Sequence, residues 1–378
     1  MMPAVNVDDL RVRARRRLPR AVFDFIDGGA GDERTLAANR RDLDAITLSP
    51  RVLTDVSRRE MSTTIFGRRL ELPLLFAPTG MTGLASPKGE LPAARAAAAA
   101  GVGYCLSINA TSSIEEVAAA TGAPFWFQLY PLRDRDMMHK LIERAGSAGC
   151  DALIVTVDLP VQGKRERDVR NGFTIPPRVS LTDVVRLLAT PRWLWDMALG
   201  PRLTFANFGT GSGFVELAKF IGDQFDPSFA WPDLAVLKRL WKGPLLMKGV
   251  LHADDARRAL DHGADGIIVS NHGGRQLDGA ASAISALPRI VEAVAGRAPV
   301  LLDGGIRRGI DLIRARALGA QACLIGRPFL YALAAQGATG PARVIELLRD
   351  ELDNAMALLG QPSFNAIGSE VLQPTATA

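Results

Sequence analysis

Eight short apolar runs recur along this chain: Leu72 to Ala77, Gly103 to Leu106, Phe125 to Leu129, Ala152 to Val157, Pro244 to Met247, Gly266 to Val269, Pro299 to Leu302 and Ala322 to Ile325. Each is too short for a helix and reads as a strand buried on both faces. The segments between them, such as Glu90 to Ala100 and Ala253 to His262, read as amphipathic or alanine-rich helices. Strand and helix alternating eight times predict an α/β fold, a parallel (β/α)8 TIM barrel rather than an open sheet. The 378 residues are enough for one domain spanning 1–378. Within it, 1–70 form an N-terminal helical prelude and 73–360 the barrel. Met61 to Leu72 reads as a hairpin turning near Gly67 that plugs the barrel floor.

The regular spacing breaks once, between Val157 and Pro244. An insertion of about 175–235 therefore sits between strands four and five, over the face where such barrels do chemistry. Its middle, from Val184 to Met197, mixes aliphatic residues, Trp193 and Trp195 with Arg186 and Arg192. That mixture suits a segment lying on a bilayer, a lid packed on the barrel, or an oligomer contact. The first reading puts a peripheral membrane contact at about 181–200.

Composition narrows the class. With 48% hydrophobic and 22% charged residues the chain reads as globular. A net charge of +5, carried mostly by arginine, permits an anionic cofactor, acidic substrates or an anionic membrane surface. No basic stripe with interleaved aromatics is present, so nucleic acid is not an expected partner. Cys105, Cys150 and Cys323 lack metal-ligand spacing; no metal is expected, and they read as reduced thiols of the cytoplasm. Asp8, Asp9 and the arginine-rich stretch from Arg11 to Arg20 stand where a secretory signal would need apolar residues. No run approaches the roughly 18 apolar residues of a membrane span. The expected location is the cytoplasm, with peripheral contact to the inner face of the cytoplasmic membrane.

In a (β/α)8 barrel the reacting groups stand at the C-terminal strand ends. Here those ends carry Pro78-Thr79-Gly80, Ser107, Gln128 with Tyr130, Thr156 with Asp158, Lys248-Gly249, Ser270 with His272, Asp303-Gly304-Gly305 and Gly326-Arg327. All eight are polar or glycine clusters, which points to one ring-shaped site. The sixth is the richest. Ser270-Asn271-His272-Gly273-Gly274-Arg275-Gln276 puts a base three positions from a fixed cation, as proton removal from an anionic substrate requires. Asp158 would pair with His272 and stabilise the imidazolium formed when the base takes a proton. Arg275 and Arg165 each offer a planar fork to a carboxylate. After strands seven and eight, glycines with Arg307 and Arg327 suit a phosphate. A sugar phosphate would satisfy that end alone. Thr79, Ser107, Gln128 and Thr156 add the neutral donors and acceptors a flat heterocycle needs, and flavin mononucleotide (FMN) meets both requirements. Lys248 would either form a Schiff base or stabilise negative charge on a reduced flavin.

The run at 270–276, with Asp303-Gly304-Gly305-Ile306-Arg307-Arg308-Gly309 and Phe127-Gln128-Leu129-Tyr130, closely resembles the FMN-dependent α-hydroxy acid oxidases and dehydrogenases from about Leu18 to Gly360. Ala77-Pro78-Thr79-Gly80, Arg165-Glu166-Arg167-Asp168 and Pro191-Arg192-Trp193 look most like the family's mandelate dehydrogenase branch, with the lactate dehydrogenases next. The resemblance implies that an L-(S)-2-hydroxy acid is oxidised to the 2-oxo acid. His272 would take the proton and Asp158 would be its partner. Arg275 and Arg165 would hold the carboxylate, Tyr130 would bond the substrate and Lys248 would stabilise anionic reduced FMN. Pro78, Thr79, Gly80, Ser107, Gln128, Thr156 and Ser270 would line the flavin, and Asp303, Gly304, Gly305, Arg307, Gly326 and Arg327 its ribityl chain and phosphate. It also implies a homotetramer. Glycine at Gly80, where many of the oxidases carry alanine, points to a quinone or another acceptor rather than to O2 and hydrogen peroxide. One departure stands out. Phe25 fills the place of a tyrosine whose phenol reaches the substrate carboxylate, so a hydrogen bond to a charged group is missing and the substrate pocket is more apolar.

Overall fold

A computed structural model describes residues 3–172, 188–209 and 214–373. Two short strands, β1 (Thr63–Ile65) and β2 (Arg68–Leu70), form an antiparallel hairpin. The eight that follow are β3 (Leu74–Phe76), β4 (Gly103–Ser107), β5 (Trp126–Leu129), β6 (Ala152–Thr156), β7 (Leu245–Val250), β8 (Gly266–Val269), β9 (Val300–Asp303) and β10 (Ala322–Ile325). They are parallel, pair in chain order, and close where β10 meets β3. The fold is the expected (β/α)8 barrel.

Strand side chains alternate between two cores. Leu74, Phe76, Leu106 and Phe127 join the layer shared with the surrounding helices. Leu75, Cys105, Trp126 and Ile154 pack inside the barrel. Ile65, Phe66 and Leu70 of the hairpin join that interior cluster. The Phe66 ring lies 6.2 Å from Trp126 at the start of β5 and occupies the space beside Gly266 at the start of β8. The hairpin therefore stoppers the N-terminal end of the barrel.

Local chemistry sets the helix ends. Helix Arg135–Ser147 starts where the Asp134 carboxylate accepts the Met137 amide at 2.8 Å. Helix Glu90–Ala100 stops where Gly101 turns left-handed, at φ 66°. Strand β7 departs from expectation: it runs through Lys248 to Val250 instead of ending at Met247. Its register shifts between Lys248 and Val250, around Gly249 at φ 102°. The lysine belongs to a buried strand because its charge is matched inside the barrel, as described below.

Helix Pro191–Leu199 of the insertion is docked at one side only. The Trp193 indole donates to the Leu84 carbonyl at 2.9 Å and Asp196 pairs with Arg17 at 2.7 Å, whereas Trp195 and Leu199 are exposed. The rest of the expected interfacial segment, residues 181–187, lies outside the described residues. No described helix is long and apolar enough to cross a membrane.

Asp27, closing helix Arg20–Asp27, ties the prelude to the barrel. It accepts hydrogen bonds from Arg11 at 2.6 and 2.8 Å and from the Tyr331 hydroxyl at 2.7 Å. Burial opposes its charge, but Arg11 and Tyr331 outweigh burial and pull its pKa down to about 2 from 3.8. The folded value lies below the unfolded one, so the stabilisation is full above about pH 4 and fades as pH falls towards 2. Asp27→Asn is expected to cost about 2 kcal/mol at pH 7. The Tm gap between variant and parent should narrow from pH 7 to pH 3; a constant gap would show that the charge is not the source.

Candidate active site

The interior of the barrel changes character at its C-terminal end. Two residues beyond the interior positions Cys105, Trp126, Ile154, Leu246, Ile268 and Leu301 stand Ser107, Gln128, Thr156, Lys248, Ser270 and Asp303. A period of two keeps all six on the inward face, and all six are buried. Strand register alone thus gathers them into a ring. Ser107 donates to Gln128 Oε1 at 3.0 Å. Gln128 Nε2 and Thr156 Oγ1, on adjacent strands, are buried polar atoms without a hydrogen-bond partner among the described residues. Such atoms are costly unless something else bonds them. Thr79, two residues past interior Ala77, contacts Thr82 Oγ1 at 2.9 Å.

Lys248 is the ring's buried cation. Its Nζ lies 2.7 Å from Asp303 Oδ2 and 3.0 Å from Ser270 Oγ, and Ser270 donates in turn to Asp303 at 2.7 Å. Burial alone would strip the lysine of its proton, but Asp303 and Asp158 outweigh it and hold the pKa above the ordinary lysine range. Burial likewise opposes the Asp303 charge, and Lys248 and Ser270 keep that carboxyl low. An ammonium held this firmly is no amine nucleophile, which removes the Schiff-base alternative.

His272 leaves β8 in the left-handed region, at φ 57°, followed by Gly273 at 64° and Gly274 at 76°. A non-glycine residue there is strained by about 1 kcal/mol and must be held. Its amide donates to Ser270 Oγ at 2.9 Å. Asn271 exchanges two amide hydrogen bonds, 2.8 and 2.9 Å, with Asn39 of helix Arg34–Asp44. A Cβ on Gly274 would fall 2.5 Å from the Leu36 nitrogen, so only glycine lets that helix approach. So held, His272 points Nδ1 at Asp158 Oδ1, 2.9 Å away. Asp158 sits directly over Gly249, where a Cβ would come within 2.7 Å of it. With the Nδ1 proton given to the carboxylate, Nε2 is the accepting nitrogen, and it lies 3.5 Å from the Tyr130 hydroxyl. Burial and Asp158 push the Tyr130 pKa up, so the phenol stays neutral.

Arg275 and Arg165 flank Phe25, whose ring centroid lies 5.0 and 5.5 Å from the two guanidinium carbons. Arg275 also donates to the Phe25 and Gly28 carbonyls at 2.6 and 3.2 Å. Arg165 pairs with buried Asp168 at 2.8 Å. Burial, then Arg165 and Arg327, pull Arg275 down to about 9. That crowding of cations is what a bound anion relieves.

The phosphate-side arginines are more engaged than their sequence context implies. Arg327 donates to the carbonyls of Ile26, Asp27, Gly28 and Gly273 at 2.8 to 3.2 Å. Arg307 donates to the Ile306 carbonyl at 2.8 Å, and Asp311 takes the Arg307 and Arg308 amides. Gly304, at φ 116°, and Gly326 have no neighbour closer than 3.5 Å to an added Cβ, whereas on Gly305 it would meet the Asn39 carbonyl at 2.4 Å. Three positioning residues, Asp168, Asn39 and Gly249, carried no assigned role in the sequence reading, although Asp168 and Gly249 stand in segments it singled out. Asp168 had a usable signal, lying three positions after Arg165 on one helical face. Asn39 and Gly249 had none, because their partners lie far along the chain.

Comparison with known proteins agrees with the fold. The sequence matches the FMN-dependent dehydrogenase family over residues 14–374. It is 49% identical over 375 residues to an L-lactate dehydrogenase of Caulobacter sp. (strain K31), covering 98% of each chain. An L-lactate dehydrogenase of Alcaligenes faecalis is 45% identical over 369 residues, covering 96% of this chain and 97% of the relative. Among solved structures, the monotopic membrane protein (S)-mandelate dehydrogenase superposes with a TM-score of 0.96 at 40% identity, over 99% of this chain and 100% of that one. A mandelate oxidase holding 3,3-difluoro-2-hydroxy-3-phenylpropionic acid gives 0.83 at 42% identity, over 98% of both chains.

Proposed function

Because this chain belongs to the FMN-dependent dehydrogenase family, we propose that it oxidises an L-(S)-2-hydroxy acid to the 2-oxo acid and hands the electrons to a quinone. One observation carries the reading: His272, braced by Asp158 on one nitrogen, turns the other towards Tyr130 at a site that also holds two arginines stacked on Phe25. Base, phenol and carboxylate clamp are what a 2-hydroxy acid needs, since its acid group and its carbinol are adjacent.

The residues fit FMN. The unpartnered Gln128 Nε2 and Thr156 Oγ1 match the edge of a flat heterocycle, and Thr79, Ser107 and Ser270 extend that row. Gly304 and Gly326 leave room beside the backbone, while Arg307 and Arg327 set a positive field for a phosphate. When bound, FMN supplies the two-electron acceptor. The chain does the rest. Arg275 and Arg165 seat the carboxylate, Tyr130 donates to the substrate, and His272 Nε2 takes a proton. Asp158 stabilises the imidazolium that results, and the ammonium of Lys248 stabilises negative charge developing nearby.

Mandelate-like and lactate substrates both suit the site. Phe25 removes a phenol from the clamp and leaves an apolar wall, which favours the bulkier, aromatic acid. The quinone acceptor is supported by Gly80, whose added Cβ would come 3.0 Å from that of Asn109, and by the exposed Trp195 and Leu199. These apolar groups, with the arginines of helix Val7–Arg17 nearby, support peripheral contact with an anionic membrane surface; the homotetramer is proposed on the family resemblance alone.

The test is anaerobic bleaching of the yellow protein by a panel of S and R 2-hydroxy acids, followed by reoxidation with O2 or a quinone analogue. Bleaching by S acids and preferential reoxidation by the quinone are expected. No bleaching by any 2-hydroxy acid would overturn the proposal, and turnover on O2 equal to that on quinone would replace the dehydrogenase with an oxidase.

A further inference from the structure

We propose that Phe225, in the return limb of the insertion, is a positioning residue for Tyr130, so that the insertion is coupled to the reaction centre. The inference rests on reading Tyr130 as the phenol that meets the hydroxy acid.

The Tyr130 hydroxyl has one hydrogen-bonding neighbour among the described residues, His272 Nε2 at 3.5 Å. A single long contact does not fix the direction of a phenol. The packing of its ring has to do so. On one side the His272 ring lies near-parallel, with centroids 6.3 Å apart and planes at 17°. The second aromatic partner is Phe225, centroid 5.2 Å away and at 90°, the edge-to-face arrangement that aromatic quadrupoles favour. Phe225 is itself buried.

Phe225 is also rigidly tied to the segment that carries Tyr130. Leu132 and Phe225 form an antiparallel bridge. The Arg133 amide donates to the Gln224 carbonyl at 2.8 Å and the Asp226 amide to the Pro131 carbonyl at 3.2 Å. Arg133 Nε adds a bond to the Phe225 carbonyl at 3.1 Å. Arg135 closes the seam, donating to Leu132 at 2.9 Å and to Asp226 at 2.6 Å. The tyrosine that continues β5 and the phenylalanine that follows helix Phe214–Gln224 thus sit on one hydrogen-bonded seam. Residues far apart in the chain act there as one unit. A shift of the insertion relative to the barrel therefore moves the Tyr130 ring before it moves His272, which is held separately by Asp158 and Ser270.

The test is a double-mutant cycle on the full-length FMN-loaded protein. The readouts are the rate of anaerobic flavin bleaching at saturating 2-hydroxy acid and the apparent Kd of that acid. Phe225→Leu is expected to lower the rate about three- to tenfold, the range an aromatic pair supplies. Phe225→Tyr, which keeps the ring, should recover most of that loss. In a Tyr130→Phe background no hydroxyl is left to aim, so Phe225→Leu should change the rate less than about twofold. FMN content and Tm report folding, and Phe225→Met, similar in volume, serves if Phe225→Leu fails to fold. Equal fold losses in both backgrounds, or no loss in the Tyr130 enzyme, would overturn the coupling while leaving the function intact. A parent that no 2-hydroxy acid bleaches removes the functional reading and this inference together.

Discussion

His272→Ala is expected to slow flavin bleaching by about two to four orders of magnitude, the contribution of a positioned general base. No other described group stands ready to replace it. Asp158 faces the far nitrogen at 2.9 Å, Lys248 is committed to Asp303 and Ser270, and Tyr130 is a neutral phenol. The loss should fall on the rate at saturating substrate, with the apparent Kd of the acid little changed, because Arg275 and Arg165 hold the carboxylate independently. Anaerobic stopped-flow reduction separates the two. A variant that loads FMN and bleaches within tenfold of the parent would leave His272 without its role. Asp158→Asn should show a smaller loss on the same step, since it keeps the imidazole's neighbour but removes the charge that steadies the imidazolium.

The second large effect is on binding. Arg275→Met is expected to reduce kcat/KM about a hundred- to a thousandfold, since a charge-assisted fork to a carboxylate is worth roughly 1.5–3 kcal/mol per hydrogen bond. Burial and the neighbouring cations disfavour the Arg275 charge in the free enzyme, and a bound carboxylate offsets them. The guanidinium itself keeps its proton. An Arg275→Met variant whose kcat/KM stays within tenfold of the parent would remove the assigned clamp.

Much of this site was legible because the barrel translates sequence parity into geometry. Once the runs around Cys105, Trp126, Ile154, Leu246, Ile268 and Leu301 are read as strands, the residue two positions on must share their face. Ser107, Gln128, Thr156, Lys248, Ser270 and Asp303 then converge without further information. The hairpin on the barrel floor was equally local, a turn at Gly67 between apolar flanks. What stayed hidden depends on contacts between distant segments. Nothing near Asn39 announces that its amide locks Asn271, and Gly249 reads as an ordinary glycine until Asp158 is seen resting on it. The arginines after the last two strands looked free for a phosphate. Yet Arg327 spends its donors on carbonyls at the end of helix Arg20–Asp27, a segment whose placement no local pattern encodes. Strand β7 ran past its expected end for a related reason. A lysine inside a buried strand is intelligible only once its aspartate partner, on another strand, is in place.

The left-handed backbone at residue 272 sets activity against stability. Glycine suits that conformation best, and it stands at the next two positions in the same region of dihedral space. A glycine at 272 would therefore relax the loop, while deleting the only group there able to accept the substrate's proton. A redesign that ranked each position by fold stability alone would count the base among the residues to replace, and the product would be a more relaxed loop with no turnover.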